Sequence, residues 1–168
     1  MSEPILIRRV QPGDLNALIS LVSDHVSFEK ARLDREMLSD RLPTFIFGDA
    51  PRAIVFVALC GDAIVGYLSA SAEFSTWNAC EYLHMDCLYL TAACRGRGTG
   101  RLLMAAAAQY ANANKLGWME WQTPDWNNDA IRFYERQGAL GKSKVRFSIR
   151  TEQLSTGLPE PVGRDADA

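Results

Sequence analysis

Arg95, Gly96, Arg97, Gly98, Thr99, Gly100 and Arg101 form a loop rich in glycine and arginine. It lies between an apolar strand pattern ending at Leu90 and a helical pattern beginning near Thr99. Glycines let backbone approach a ligand closely, and a helix N-terminus offers unpaired N–H groups with a partial positive charge. Arg95, Arg97 and Arg101 around that point suit a pyrophosphate, so the first chemistry suggested is anion binding. A P-loop would need Gly-Lys-Ser/Thr, and no lysine occurs between Lys30 and Lys115. A dinucleotide fingerprint would need glycine at position 101, where arginine stands. Upstream, His84 and Asp86 on a regular strand would point the same way, roughly 6.5–7 Å apart. They could share a water relay, or form an ordinary solvated strand pair. The chain has 2 histidines, and no third ligand is spaced near them, so no metal site is expected.

These residues need a scaffold, and the apolar periodicity supplies one. Ile5–Ile7 with Val10 reads as a strand. Gln11-Pro12-Gly13-Asp14 breaks it, with Asp14 a plausible N-cap for a helix running to about Phe28. A more polar helix lies within Arg32–Leu42, with Pro43 expected to end it. Ala53–Leu59 and Ile64–Ala70 are strands around a Cys60-Gly61-Asp62 hairpin signal. Phe74–Asn78 reads as a longer turn before a strand from Glu81 to Leu90. The glycine loop follows, then a helix from Thr99 to Lys115 and a strand over Trp118–Thr123. A helix capped by Asn127, Asn128 or Asp129 runs to Gln137, closed by Gly138. Val145–Ile149 is a final strand. This order implies an α/β protein with a mixed sheet and helices on both faces.

The spacing Arg95-x-x-Gly98-x-Gly100 resembles the acetyl-CoA loop of the GNAT acetyltransferases. The resemblance extends upstream over Met85–Leu90 and downstream over Asn127–Ala139, where Asn127, Ala130, Tyr134 and Gly138 stand at the family's offsets. Phe133-Tyr134 with Gly138-Ala139, and more faintly Phe28-Glu29, is similar to the small-amine, diamine-type branch. The resemblance implies a mostly antiparallel sheet of six to seven strands flanked by about four helices, spanning residues 1–150. It implies an N-acetyltransferase that moves acetyl from acetyl-CoA to a primary amine by direct attack in a ternary complex.

Site residues follow from the same resemblance. Arg95 to Arg101 would hold the pyrophosphate, and the backbones of Leu88 and Leu90 the pantetheine arm. Tyr134 would protonate the departing thiolate, although it shares a helical face with Ala130, Phe133 and Gln137 and has packing as its alternative role. Asp86 stands where relatives often carry a glutamate that accepts the amine proton. Asn127 would touch the cofactor arm or cap its helix. His84, Glu29 and Trp77 are candidate contacts to the acceptor. Cys87 and Cys94 raise a covalent route through an acetylated thiol, but neither adjoins a histidine in sequence.

Composition narrows the classes. The 168 residues carry a formal charge of -2, which speaks against a dedicated nucleic-acid binder. The 4 cysteines form no CxxC pair, as in reduced compartments. With no apolar run long enough to span a bilayer and no charged-then-apolar leader, a cytoplasmic protein without membrane partners is expected. A homodimer paired through edge strands is expected from the family. Residues 151–168, rich in Gly, Pro, Ser and charge, are expected to be disordered. A non-catalytic acyl-CoA-binding or sensor module on the same fold is the rival reading, since a fold does not fix a function; Asp86 and Tyr134 favour the enzyme.

Overall fold

The computed structural model describes residues 3–155. Five strands form one sheet in chain order: β1 (Ile5–Arg9), β2 (Ile54–Cys60), β3 (Ala63–Ser75), β4 (Cys80–Leu90) and β5 (Met119–Trp121). The first three pairings are antiparallel, and β4 with β5 is parallel. The sheet is therefore mixed and mostly antiparallel, as expected. Its helices are α1 (Leu15–Phe28), α2 (Arg35–Phe47), α3 (Thr99–Ala113), α4 (Asn128–Arg136) and α5 (Thr151–Ser155).

Strand β2 explains the layering. It is apolar throughout and buried over Ile54–Leu59, as a strand covered on both faces should be. Ile54, Phe56 and Ala58 join Leu68, Leu83, Met85 and the inner stripe of α3 (Leu103, Ala107, Ala111) in one core. Val55, Val57 and Leu59 join Tyr67 with Leu18 and Leu21 of α1 and Ile46 of α2 in the other. Helices thus cover both faces, α3 and α4 on one side, α1 and α2 on the other.

Several expectations change. Among the described residues the sheet has five strands, not six to seven, and five α-helices accompany it rather than about four. Val145–Ile149 is no strand: Val145, Phe147 and Ile149 alternate as a strand would but are 77%, 89% and 57% exposed. A strand needs a neighbour for its hydrogen bonds, and none of the described strands pairs with this segment. The strand expected over Trp118–Thr123 shortens to Met119–Trp121. Pro43 lies inside α2 rather than ending it. Leu42, Ile46 and Phe47 flank it and pack into the second core, which holds the helix together past the missing N–H. The long turn expected at Phe74–Asn78 is a tighter one, because β3 runs on to Ser75 and β4 begins at Cys80. Thr151–Ser155 forms α5, contrary to the disorder expected there; residues 156–168 lie outside the described residues.

Asp14 stands at the N-cap position of α1, as expected. Its carboxylate does not cap α1. It receives Arg8 through both guanidinium nitrogens, at 2.6 and 3.0 Å, and the Gln11 backbone N–H at 2.7 Å. These bonds, led by Arg8, hold the Asp14 carboxyl below the usual carboxylate range.

Candidate active site

The site begins with one extra residue in β4. Opposite β3, Ser69 pairs with Cys87 but Ala70 pairs with Met85, leaving Asp86 unmatched in a β-bulge. The bulge reverses the strand's alternation. Before it, odd positions (Leu83, Met85) enter the α3-side core; after it, even positions (Leu88, Leu90) do so, and Cys87 and Tyr89 turn to the α1 side. The sequence carried that signal, since the apolar spacing changes parity between Met85 and Leu88.

Backbone direction follows the same count. Leu83 N–H donates to Trp118 and Glu81 C=O accepts from Gly117, so these residues face β5. Beyond the bulge, Thr91 N–H donates to Val65 on β3. Alternation then turns the backbone groups of Leu88 and Leu90 away from β3, toward the β5 side. The β4–β5 pairing stops at Met85–Trp121. β5 itself ends at Trp121, which leaves a gap beside β4 among the described strands, edged by the Leu88 and Leu90 backbones, with Arg95 Nε already donating to the Leu90 carbonyl at 3.0 Å.

At the head of this gap stands the glycine loop. Gly98, the N-cap of α3, adopts φ 84° and supplies no side-chain cap, so the first-turn amides of α3 have no side-chain acceptor. Thr99 is 1% exposed, and its Oγ1 is buried without a hydrogen-bond partner. Such an atom is costly unless a ligand meets it. Gly100 permits close packing against α4: a Cβ there would come within 3.1 Å of Phe133 Cζ. Arg97 and Arg101 are exposed around the loop. Arg95, expected with them at the pyrophosphate, has its guanidinium 4.8 Å from the Phe28 ring centroid and 5.4 Å from that of Tyr89. An uncapped helix start, a hydroxyl without a partner among the described residues and two exposed arginines together fit a phosphorylated group.

Tyr134 comes to the gap from α4. It packs on the α3-side core, with Trp121 and Phe133 rings each at 5.2 Å. Burial raises its phenol to about 12, with Glu29 and Cys87 adding to the effect. Glu29 ends α1 and Cys87 faces the α1 side, so influence from both reaches Tyr134 where β5 has stopped. The phenol therefore keeps its proton at neutral pH. Asn127 caps α4, its Oδ1 accepting the Ala130 N–H at 3.2 Å.

The α1 side of the gap holds residues that the sequence reading missed. His25 Nδ1 lies 2.9 Å from the Tyr67 hydroxyl, its ring stacks on Tyr89 at 5.1 Å, and Nε2 is 3.4 Å from Glu29 Oε1. Phe28 meets Tyr89 and Trp126. The available signal was a histidine on the apolar stripe of α1, one turn after Leu21. Burial lowers the His25 pKa, against opposing pulls from Glu29 and Asp86, and it strongly raises that of Tyr67. Glu29 is thus brought into the cluster.

Other expected residues do not converge there. Trp77 is 96% exposed in the β3–β4 turn, at the far end of β4 from the glycine loop. The bulge breaks the even spacing assumed for His84 and Asp86, and no hydrogen bond joins them among the described residues. His84 pairs with Ser71 and Glu120 in the sheet. The neighbour of Asp86 is Cys87, whose Sγ donates to Oδ2 at 3.5 Å. Burial, then the adjacent Asp86 charge, pushes the Cys87 thiol up to about 12. At neutral pH it is a thiol, which is a poor nucleophile, so the covalent route has no activated sulfur there.

The acetyltransferase (GNAT) family matches residues 19–139. The chain belongs to that family. It is 30% identical to the thialysine N-epsilon-acetyltransferase of Caenorhabditis elegans over 145 residues, 85% of this chain and 89% of the relative. It is 26% identical to the D-amino-acid N-acetyltransferase of Saccharomyces cerevisiae, over 81% of this chain and 85% of the relative. Among solved structures, an integron cassette protein from the V. cholerae mobile metagenome superposes with a TM-score of 0.73 at 22% identity, covering 93% and 99% of the two chains. Family and relatives support an acetyltransferase, and the superposition supports the fold.

Proposed function

We propose that this GNAT protein transfers acetyl from acetyl-CoA to a primary amine of a small, cationic acceptor, by direct attack. The observation that carries the reading is the gap beside β4 past the end of β5, with an uncapped helix start at its head and a protonated phenol at its side. Acetyl-CoA would supply the activated thioester. The α3 amides, Thr99 Oγ1, Arg97 and Arg101 bind its pyrophosphate, while the Leu88 and Leu90 backbones and Asn127 hold the pantetheine arm. Arg95 reaches the phosphates only by leaving its aromatic seat.

An amine attacks only when neutral, while a free ammonium with pKa near 10.4 is mostly charged at pH 7. Asp86, exposed on its bulge, accepts that proton directly or through water. The Leu88 N–H faces the carbonyl oxygen as charge builds there. Tyr134 gives its proton to the leaving sulfur, and the proton that the attacking nitrogen sheds as the amide forms restores the phenol. With its pKa near 12 against about 8.5 for a thiol, it does so in step with C–S cleavage, not before. Phe28, Tyr89 and Trp126 with Glu29 line the acceptor side, and aromatic faces with a carboxylate suit a cation. The thialysine and the spermidine or spermine named for relatives are amines of that kind, and the D-amino acid named for another also presents a primary amine.

The test is thiol release from acetyl-CoA in the presence of thialysine, L-ornithine, spermidine or a D-amino acid, with the product checked by mass. One acetyl added per thiol released supports the reading. Tight acetyl-CoA binding with no acceptor in such a panel would make the protein a binding module.

A further inference from the structure

His25 is bound into the site but has no part in the transfer described. Its Nδ1 meets the Tyr67 hydroxyl at 2.9 Å, its Nε2 faces Glu29 at 3.4 Å, and Tyr89 stacks on its ring. Tyr67 is 2% exposed and keeps its proton. An imidazole nitrogen is a better acceptor for that proton than the Cys87 sulfur, so Nδ1 accepts and the ring proton sits on Nε2, 3.4 Å from a Glu29 carboxylate oxygen.

We infer that His25 is a positioning residue: through Nε2–H it holds the Glu29 carboxylate in place to bind the acceptor's ammonium, with Tyr67 fixing the tautomer. The inference rests on the proposed transfer to an amine. Glu29 is the C-cap residue of α1, where a long side chain is otherwise free to swing. A carboxylate held in one geometry binds a cation with less ordering cost than a swinging one.

The device carries a pH dependence. The groups facing His25 are Glu29 on its own helix, Tyr67 on β3, Asp86 and Tyr89 on β4, and Arg95 beyond β4. Burial keeps the ring neutral at pH 7. Protonation, when pH falls below the ordinary histidine range, puts a positive charge against Glu29 and cancels its pull on the acceptor. Acceptor KM should rise in acid beyond what the acceptor's own ionisation explains.

The experiment compares wild type, His25→Phe, His25→Gln and Tyr67→Phe between pH 5 and 9, using whichever of thialysine, L-ornithine or spermidine the wild type acetylates fastest. Acetyl-CoA-induced thermal shifts serve as the folding control. Phenylalanine keeps the stacking but has no N–H. Acceptor KM should rise about tenfold at pH 7.5, the scale of one hydrogen bond to a charged group, with kcat and acetyl-CoA affinity little changed. Glutamine, whose amide can donate to Glu29 and does not titrate, should restore KM near pH 7.5 and lack the acid rise. Should His25→Phe fail to fold, Tyr67→Phe should still alter the acid rise in KM. Unchanged KM and pH profiles in the folded variants, beside an active wild type, overturn the inference alone. A wild type that acetylates none of these amines overturns the proposed transfer and this inference with it.

Discussion

Cys87 donates its thiol hydrogen to Asp86 across the bulge of β4, at 3.5 Å between Sγ and Oδ2. Side chains of successive strand residues normally point to opposite faces. Here the unpaired residue lets both lie on one face. That places a carboxylate at the mouth of the gap and, in the same step, turns the Leu88 and Leu90 backbones toward it.

If Asp86 takes the amine proton, its removal matters most where the amine is charged. Asp86→Ala should lower turnover at pH 7 more than at pH 9, where more acceptor is already neutral. Equal loss at both pH values in steady-state assays would leave Asp86 a binding or structural residue.

The cofactor end is tested at two glycines. Gly98 holds φ 84°, which a β-branched residue adopts only with strain, and Gly100 packs on Phe133. Acetyl-CoA should raise the melting temperature of wild type by mass action. Gly98→Val or Gly100→Val should abolish that shift while leaving a cooperative unfolding transition. A shift with ATP or NAD and none with millimolar acetyl-CoA would contradict the assignment of the loop.

The Arg8–Asp14 pair makes a claim about stability. Asp14 has a lowered pKa in the fold, chiefly through Arg8. Its contribution is present above the unfolded pKa near 3.9 and is lost as pH falls through the lower folded value. Asp14→Asn should cost about 1–2 kcal/mol at pH 7, the scale of its charge-assisted bonds. The wild-type advantage should shrink between pH 5 and pH 2 in denaturant titrations, and a difference that does not change with pH would show that the Asp14 charge contributes nothing.

Periodicity was enough to place α1 and α3, which bury distinct stripes; the turn signal placed the hairpin of β2 and β3, cap residues placed α4, and glycines marked the loop between Leu90 and Thr99. Such local signals misread what depends on partners. Val145, Phe147 and Ile149 carry a strand's alternation, but a strand exists only beside another. Pro43 signals a stop, but the core contacts of Ile46 and Phe47 carry α2 through it. For the candidate site, the family resemblance picked out Asp86, Tyr134 and Glu29. His25 and Tyr67, 42 positions apart in the chain, read as ordinary apolar-stripe and strand residues until the fold joined them.

The central claim is that Tyr134 serves acetyl transfer rather than packing alone, and Tyr134→Phe tests it most directly. The ring that meets Trp121 and Phe133 is kept; one hydroxyl is lost. Burial holds the wild-type phenol near 12, so wild-type activity should not fall through loss of that proton up to about pH 10. Measured as thiol release with an acceptor that the wild type acetylates, the variant's turnover should fall roughly 10²–10⁴-fold, the usual worth of a positioned proton donor. Its acetyl-CoA-induced thermal shift should match the wild type's. Full turnover in the phenylalanine variant would contradict the account and leave Tyr134 a packing residue.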